Sequence, residues 1–233
     1  MYDYRDFRFS KLNTEKFAHV KLLFYWLFYG AMFFFVERIS TNRDWNIMYC
    51  SLDDYIPFCE VFLIPYLFWF VFLVGMILYT FFFEVPAFKK LMWYIIVTYT
   101  FTIIIYLIYP TAQELRPEVF PRDNVFTRFL EWFYTFDTNT NVNPSLHVIG
   151  SFAVMYAAWH SERFSSRGWK AVFTVTALLI SISTVFVKQH SIIDVISGVL
   201  VCMFFYPFVY KRKPQQKKQS PKPRHKEPQL QTK

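Results

Sequence analysis

Cysteine is scarce and unpatterned in this sequence. The three copies, Cys50, Cys59 and Cys202, form no CxxC pair and no Cys/His metal spacing, so neither a zinc site nor a disulfide framework underlies the fold. Cys202 lies inside an apolar run, where it reads as packing. Cys50 and Cys59 can meet on one face, but an odd count without a partner pattern reads as free thiols. A cleavable signal is also missing. The first apolar run follows a charged segment, and no small-residue cleavage site comes after it. The basic residues are not interleaved with aromatics, which argues against a nucleic-acid partner. No metal cluster stands out, and no cofactor is expected.

Apolar surface is what the chain has in excess. Of its 233 residues 55% are hydrophobic and 23% aromatic, with 30 Phe, more than a soluble domain of this size needs. Six apolar runs can be drawn: Phe17–Val36, Pro57–Phe83, Leu91–Tyr109, His147–His160, Gly168–Val187 and Ile192–Tyr210. Runs of this kind read as transmembrane helices. The fourth is short and is expected to continue past His160 to Phe164. Pro57 suits the first turn of the second helix, and Pro65 should kink that helix or mark its true start. The expectation is an all-α polytopic membrane protein with six transmembrane helices and a helical outer loop. Residues 1–20 form an inner N-terminal segment and 21–210 the six-span domain. Residues 211–233, rich in Lys, Pro and Gln, form a basic tail too polar to fold.

Charge sets the direction. With both termini inside, nineteen of the 25 Lys and Arg fall on inner segments, and only Arg38, Arg43, Arg116, Arg122, Arg128 and Lys188 remain outside. The expected location is therefore a cell membrane, crossed several times, with both termini cytoplasmic. On this layout His147 opens the fourth span at the outer face, and His190 arrives at the same face between the fifth and sixth. The loop Pro110–Asn143 lies there too and carries Arg116-Pro117. Within it, Phe126, Phe129, Leu130, Phe133 and Phe136 recur at helical spacing. Asp123 or Asn124 could cap that helix, whose phenylalanines meet either lipid or the other spans.

Two polar motifs stand where ionisable groups are expensive. They are Asn143-Pro144-Ser145-Leu146-His147 and Lys188-Gln189-His190, the second followed by Asp194. His190 and Asp194, at i and i+4, share a helical face, so the carboxylate can orient the imidazole as a nucleophile. Attack on phosphorus would give a phosphohistidine, and His147 is the available acid for the leaving oxygen. Arg116 and Lys188 can supply positive charge. Ser145 can supply a hydroxyl, and the start of the fourth span can supply N–H donors. Asp53 and Asp54 either cap the second span, the reading their position favours, or contact a polyol headgroup or a cation. His19, His160 and His225 lie on the inner side and take no role.

The order Arg-Pro, Pro-Ser-x-His, His-x-x-x-Asp resembles the type 2 phosphatidic acid phosphatase/vanadium haloperoxidase superfamily, over about Pro110 to Gly198. The resemblance implies catalytic His147, His190 and Asp194, with Arg116, Ser145 and Lys188 binding substrate phosphate and no metal. Tyr109, Leu146 and Thr184 depart from its usual Lys, Gly and Arg. Pro-Ser-Leu-His with Lys-Gln-His, together with Leu52-Asp53-Asp54-Tyr55-Ile56-Pro57, is similar to the branch containing inositol phosphorylceramide synthases. The implied activity is a lipid-phosphate phosphatase at the outer leaflet, whose partners are a lipid phosphate and membrane lipids. The alternatives are a phosphotransferase using an alcohol acceptor and a catalytically silent transport or scaffold protein. Neither the particular lipid nor the oligomeric state is legible.

Overall fold

Long apolar segments with few polar side chains satisfy their backbone groups in lipid only by closing them into helices. The computed structural model describes residues 1–40 and 44–211. Most of these lie in seven helices: α1 (Tyr25–Ser40), α2 (Leu63–Phe83), α3 (Val85–Ile108), α4 (Val125–Phe136), α5 (Leu146–Trp159), α6 (Arg167–Phe186) and α7 (Ile192–Tyr210). The helices α1, α2, α3, α6 and α7, with their flanking turns, are long and apolar enough to cross a membrane. The expected six spans thus become five long ones and α5, which is apolar but has only 14 residues. Beyond Lys211 the expected basic tail lies outside the described residues, as does Arg43.

The centre of the bundle is α5. Every residue from Val148 to Ala158 is buried, and α2, α3, α6 and α7 surround it. Gly150, Ser151, Ala153, Ala157 and Ala158 give it the small side chains that let neighbouring helices approach. It does not continue to Phe164 as expected. Ser161 Oγ donates to Glu84 Oε1 at 2.8 Å, and the backbone N–H groups of Glu162 and Arg163 donate to the same carboxylate. Glu84 thus stops the helix by capturing the donors that a further turn would use. The outward faces of the long helices carry exposed Phe34, Phe35, Val71, Leu78, Ile104, Val175, Leu200 and Phe204, a surface suited to hydrocarbon.

Connections alternate between the two ends of the bundle. At one end the N-terminal segment folds back on the α2–α3 turn. Tyr2 N–H donates to the Phe82 carbonyl and Tyr4 Oη to the Phe81 carbonyl, both at 2.7 Å, and Phe17 and His19 are buried. At the other end the loops before α2, α4 and α5 are joined. Contrary to a purely helical expectation, two short strands occur there, β1 (Asn46–Ile47) and β2 (Thr111–Ala112), paired in parallel. Thr140 bridges to Ala112, and Asn141 N–H donates to the Thr111 carbonyl at 2.6 Å. Pro65 falls in the first turn of α2 and marks its true start, as one of the two sequence readings had it, while Pro57 precedes the helix. Asn124 Oδ1 caps α4 by accepting from Phe126 and Thr127 N–H. Leu130 and Phe133 of α4 turn inward against Leu63, Tyr66 and Val187, so its apolar stripe packs on the bundle.

Candidate active site

The N-terminus of α7 begins with a capping box. Ser191 Oγ accepts from Ile193 N–H, and Asp194 Oδ2 accepts from Ser191 N–H at 2.9 Å. That geometry fixes Asp194, whose side chain is fully buried, and places His190 Nδ1 3.3 Å from the same Oδ2. The other ring nitrogen, Nε2, is left for chemistry.

His147 stands in the first turn of α5. Ser145 N–H donates to the Asp194 carbonyl at 3.1 Å, and Tyr106 Oη donates to the Pro144 carbonyl at 2.7 Å. Asn143 Oδ1 accepts a hydrogen bond from Ser197 Oγ. The start of α5 is thereby tied to both α7 and α3. Gly198 permits the approach: a Cβ there would lie 3.0 Å from Val148 Cβ and 3.2 Å from the Ser145 carbonyl. The His147 ring is held by two side chains of α2, Tyr66 stacked at 4.4 Å between centroids and Trp69 at 4.6 Å. Its Nε2 is buried and has no hydrogen-bond partner among the described residues, and Ser145 Oγ is in the same position. No side chain caps α5, which leaves its first N–H groups unclaimed by side chains.

The two imidazoles meet. Their centroids are 5.9 Å apart with the rings at 65°, so one group between them can lie within hydrogen-bond reach, about 2.6–3.2 Å, of both. Both line a cavity of about 280 Å³ that also reaches Asp137, Asn141, Gln189 and the rings of Tyr66 and Trp69.

The other sequence-assigned residues sit around this pair in different ways. Arg116 reaches Gln189 Oε1 through both Nε (3.1 Å) and Nη2 (2.5 Å), and it donates to the Tyr134 and Asp137 carbonyls at 3.1 and 2.6 Å. Its guanidinium also lies over the Tyr134 ring at 4.3 Å. It therefore stands behind Gln189 and does not line the cavity. Lys188, in a left-handed backbone conformation with φ 53, donates to the Asp53 and Ile56 carbonyls at 3.0 and 2.6 Å. Burial draws the pKa of both cations down; Asp53 and Asp54 partly restore Lys188, and Asp137 partly restores Arg116.

Asp53 does not cap the second span. Its Oδ2 accepts from Ser191 Oγ at 2.6 Å and from Cys50 N–H at 2.9 Å, and its Oδ1 accepts from Ile192 N–H at 2.9 Å, so it braces the start of α7. Asp54 is exposed and accepts from Tyr49 Oη at 2.5 Å. Cys50, Cys59 and Cys202 are all free.

The sequence reading passed over three contributors. Tyr66 and Trp69 looked like ordinary members of an apolar run, and their i, i+3 spacing was the only available signal. Asp137 belongs to no motif in the sequence. Its Oδ2 accepts from Tyr66 Oη at 2.7 Å and from Gln189 Nε2 at 2.9 Å, which joins both histidine neighbourhoods. Burial raises its pKa, opposed by the Tyr66 hydrogen bond and by the charges of His190 and Arg116.

A family model described as PAP2 superfamily matches residues 90–218, more than half of the chain and all of the segment from the end of α3's first turns through α7. No curated protein and no solved structure gives a significant match.

Proposed function

Because the chain belongs to the PAP2 superfamily, we propose that it is a membrane lipid-phosphate phosphatase working through a phosphohistidine at His190. The reading is carried by one observation, the two imidazoles 5.9 Å apart on the wall of one cavity, one of them bonded to a buried carboxylate. The lone pair of His190 Nε2 forms the N–P bond as the P–O bond to the lipid alcohol breaks. The departing oxygen takes its electron pair and a proton from His147. Water then attacks phosphorus and gives its proton to His147, and the N–P electron pair returns to His190. Asp194 orients the nucleophile and stabilises its cationic form.

Developing negative charge on the phosphoryl oxygens would be met by Ser145 Oγ and the uncapped N–H groups of α5. Arg116 and Lys188 contribute positive potential from behind this layer. The bias of Lys and Arg towards the opposite end supports a site at the outer leaflet with both termini inside. A second reading, transfer to an alcohol acceptor, is favoured by the aromatic lining of the cavity, which suits an amphipathic alcohol better than water.

Purified protein given a lipid labelled at phosphorus tests this. An acid-labile phosphoprotein should form in the wild type and be lost in His190→Ala. His147→Ala should slow its formation by roughly 10²- to 10⁴-fold, most with the poorest leaving alcohols. Label release in water alone supports the phosphatase, and release only with an added alcohol supports the transferase. Turnover unaffected by either substitution would refute the mechanism.

A further inference from the structure

The two histidines are supported differently. His190 has a carboxylate on its ring, with Asp194 Oδ2 3.3 Å from Nδ1, and among the described residues His147 has none. The His147 ring is packed against Tyr66 and Trp69 instead, and its buried Nε2 has no partner among the described residues. An acid must hold its proton before it can give it. Holding it puts a positive charge on a ring packed between two others, and a charge so placed needs compensation nearby. Ring faces supply part of it, because the face of Tyr or Trp attracts a cation within about 6 Å of its centroid. Both rings meet that condition, at 4.4 and 4.6 Å from the imidazole centroid.

A full negative charge stands one side chain further out. Tyr66 Oη donates to Asp137 Oδ2 at 2.7 Å. That bond pulls the phenol proton towards the carboxylate and polarises the ring behind it. Gln189 Nε2 donates to the same Oδ2 at 2.9 Å, while Gln189 Oε1 accepts from Arg116 Nε and Nη2. The Thr184 carbonyl accepts from both Gln189 N–H (2.9 Å) and His190 N–H (3.2 Å), so Gln189 is anchored beside the nucleophile. Asp137 itself closes α4 through its N–H on the Phe133 carbonyl, and Arg116 Nη2 holds its carbonyl at 2.6 Å. Its carboxylate is thereby fixed from α2, from α4 and from the turn before α7. Tyr66 lies outside residues 90–218, so the family motifs do not specify it.

We propose that Asp137 is a positioning residue of the acid step: through Tyr66 it fixes the His147 ring and stabilises the positive charge on it. This role rests on His147 being the acid of the proposed function. The site then holds two carboxylate–imidazole units, one direct through Asp194 and one relayed by a phenol. Before transfer His147 is the imidazolium that the relay steadies. As the P–O bond breaks, its proton passes to the departing oxygen and the ring becomes neutral. When water attacks the phosphohistidine, His147 takes a proton from it, and the relay steadies the charge that reappears. Arg116 braces this chain from behind, with its donors on Gln189 and on the carbonyls of Tyr134 and Asp137.

The test uses the purified full chain in detergent and two esters labelled at phosphorus, hexadecyl phosphate and 4-nitrophenyl phosphate. The alkoxide of the first cannot leave without a proton, whereas nitrophenolate can. The readout is the maximal rate at which label reaches the protein, each variant being compared with wild type on the same ester. General-acid help is worth about 10²- to 10⁴-fold, so His147→Ala should slow the alkyl ester by that order and the nitrophenyl ester far less. Tyr66→Phe, which keeps the ring and loses only the oxygen, and Asp137→Asn should each slow the alkyl ester at least about tenfold, a part of that range, and the nitrophenyl ester by less than about threefold. Added to His147→Ala, neither should slow the alkyl ester further. If Asp137→Asn does not fold, as read by its melting temperature, Tyr66→Phe decides the matter. Equal slowing of both esters, no slowing of the alkyl ester, or a further loss in the His147→Ala background overturns the inference and leaves the histidine pair intact. An alkyl ester no more sensitive to His147→Ala than the nitrophenyl ester fails the underlying acid assignment, and the inference falls with it.

Discussion

Asp53 illustrates how a residue's sequence position can mislead about its work. It lies close before the second apolar run, where capping that span or meeting a headgroup is the natural expectation. In the fold its carboxylate instead reaches 138 residues along the chain to Ser191, and to the backbone of Ile192. Loss of such a cap costs about 0.5–2 kcal/mol, and leaving the buried Ser191 hydroxyl unpaired adds about 1–3 kcal/mol. Asp53→Ala should therefore lower the thermal midpoint of the detergent-solubilised protein without any substrate present. Asp53→Asn, which keeps an acceptor for Ile192 N–H, should recover part of that loss. A headgroup contact would behave in the opposite way, raising KM and leaving the melting temperature unchanged. Pairings of this kind are not written in local sequence, because nothing near position 53 names its partner. The His190–Asp194 pair was legible because both members lie on one helical turn.

At the scale of elements, the apolar runs announced the helices, and their ends were the harder part. The end of α5 depends on Glu84, which belongs to another connection altogether. The clamp on His147 depends on α2, which lies outside the segment matched by the family model. Motifs report the residues that do chemistry, whereas the rings that hold them vary with packing and leave only a periodicity. The close crossing of α5 and α7 at Gly198 is a further case. A side chain at Gly198 meets the backbone oxygen of Ser145, which cannot yield without moving the start of α5. Overpacking of this kind costs about 1–3 kcal/mol, and a displacement of about 1 Å in a reacting group can cost 10²-fold in rate. Gly198→Val should thus reduce phosphoenzyme formation by well over tenfold while the helical content measured by circular dichroism is kept. Gly75→Ala on α2, where nothing lies within 4 Å, is the control and should leave the rate as it is. Equal rates for both variants would show that the α5–α7 crossing does not set the histidine geometry.

Across the whole molecule, helix lengths decide how deep the site lies. At 1.5 Å per residue, α3 with 24 residues is about 36 Å long and α5 with 14 about 21 Å, against a hydrocarbon core near 30 Å. Glu84 aligns the start of α3 with the end of α5, so the shortfall falls at the opposite end, where His147 stands. Under the proposed function a lipid headgroup would have to sink towards the histidines, and the loops around them would shield the reaction from bulk water. The proposed orientation, with this end at the outer face, rests on charge. Lys11, Lys16, Lys21, Lys89, Lys90, Arg163, Arg167 and Lys170 cluster at the other end. Beside an anionic inner leaflet each contributes about 1 kcal/mol, so the inverted orientation would forfeit several. In a variant with Cys50, Cys59 and Cys202 replaced, a single cysteine at exposed Glu118 should react with a membrane-impermeant maleimide in intact cells. One at exposed Ser165, in the α5–α6 turn, should react only after permeabilisation. The reverse pattern would put the histidines on the cytoplasmic side and restrict the enzyme to inner-leaflet lipids, with the same chemistry applied to a different pool of substrate.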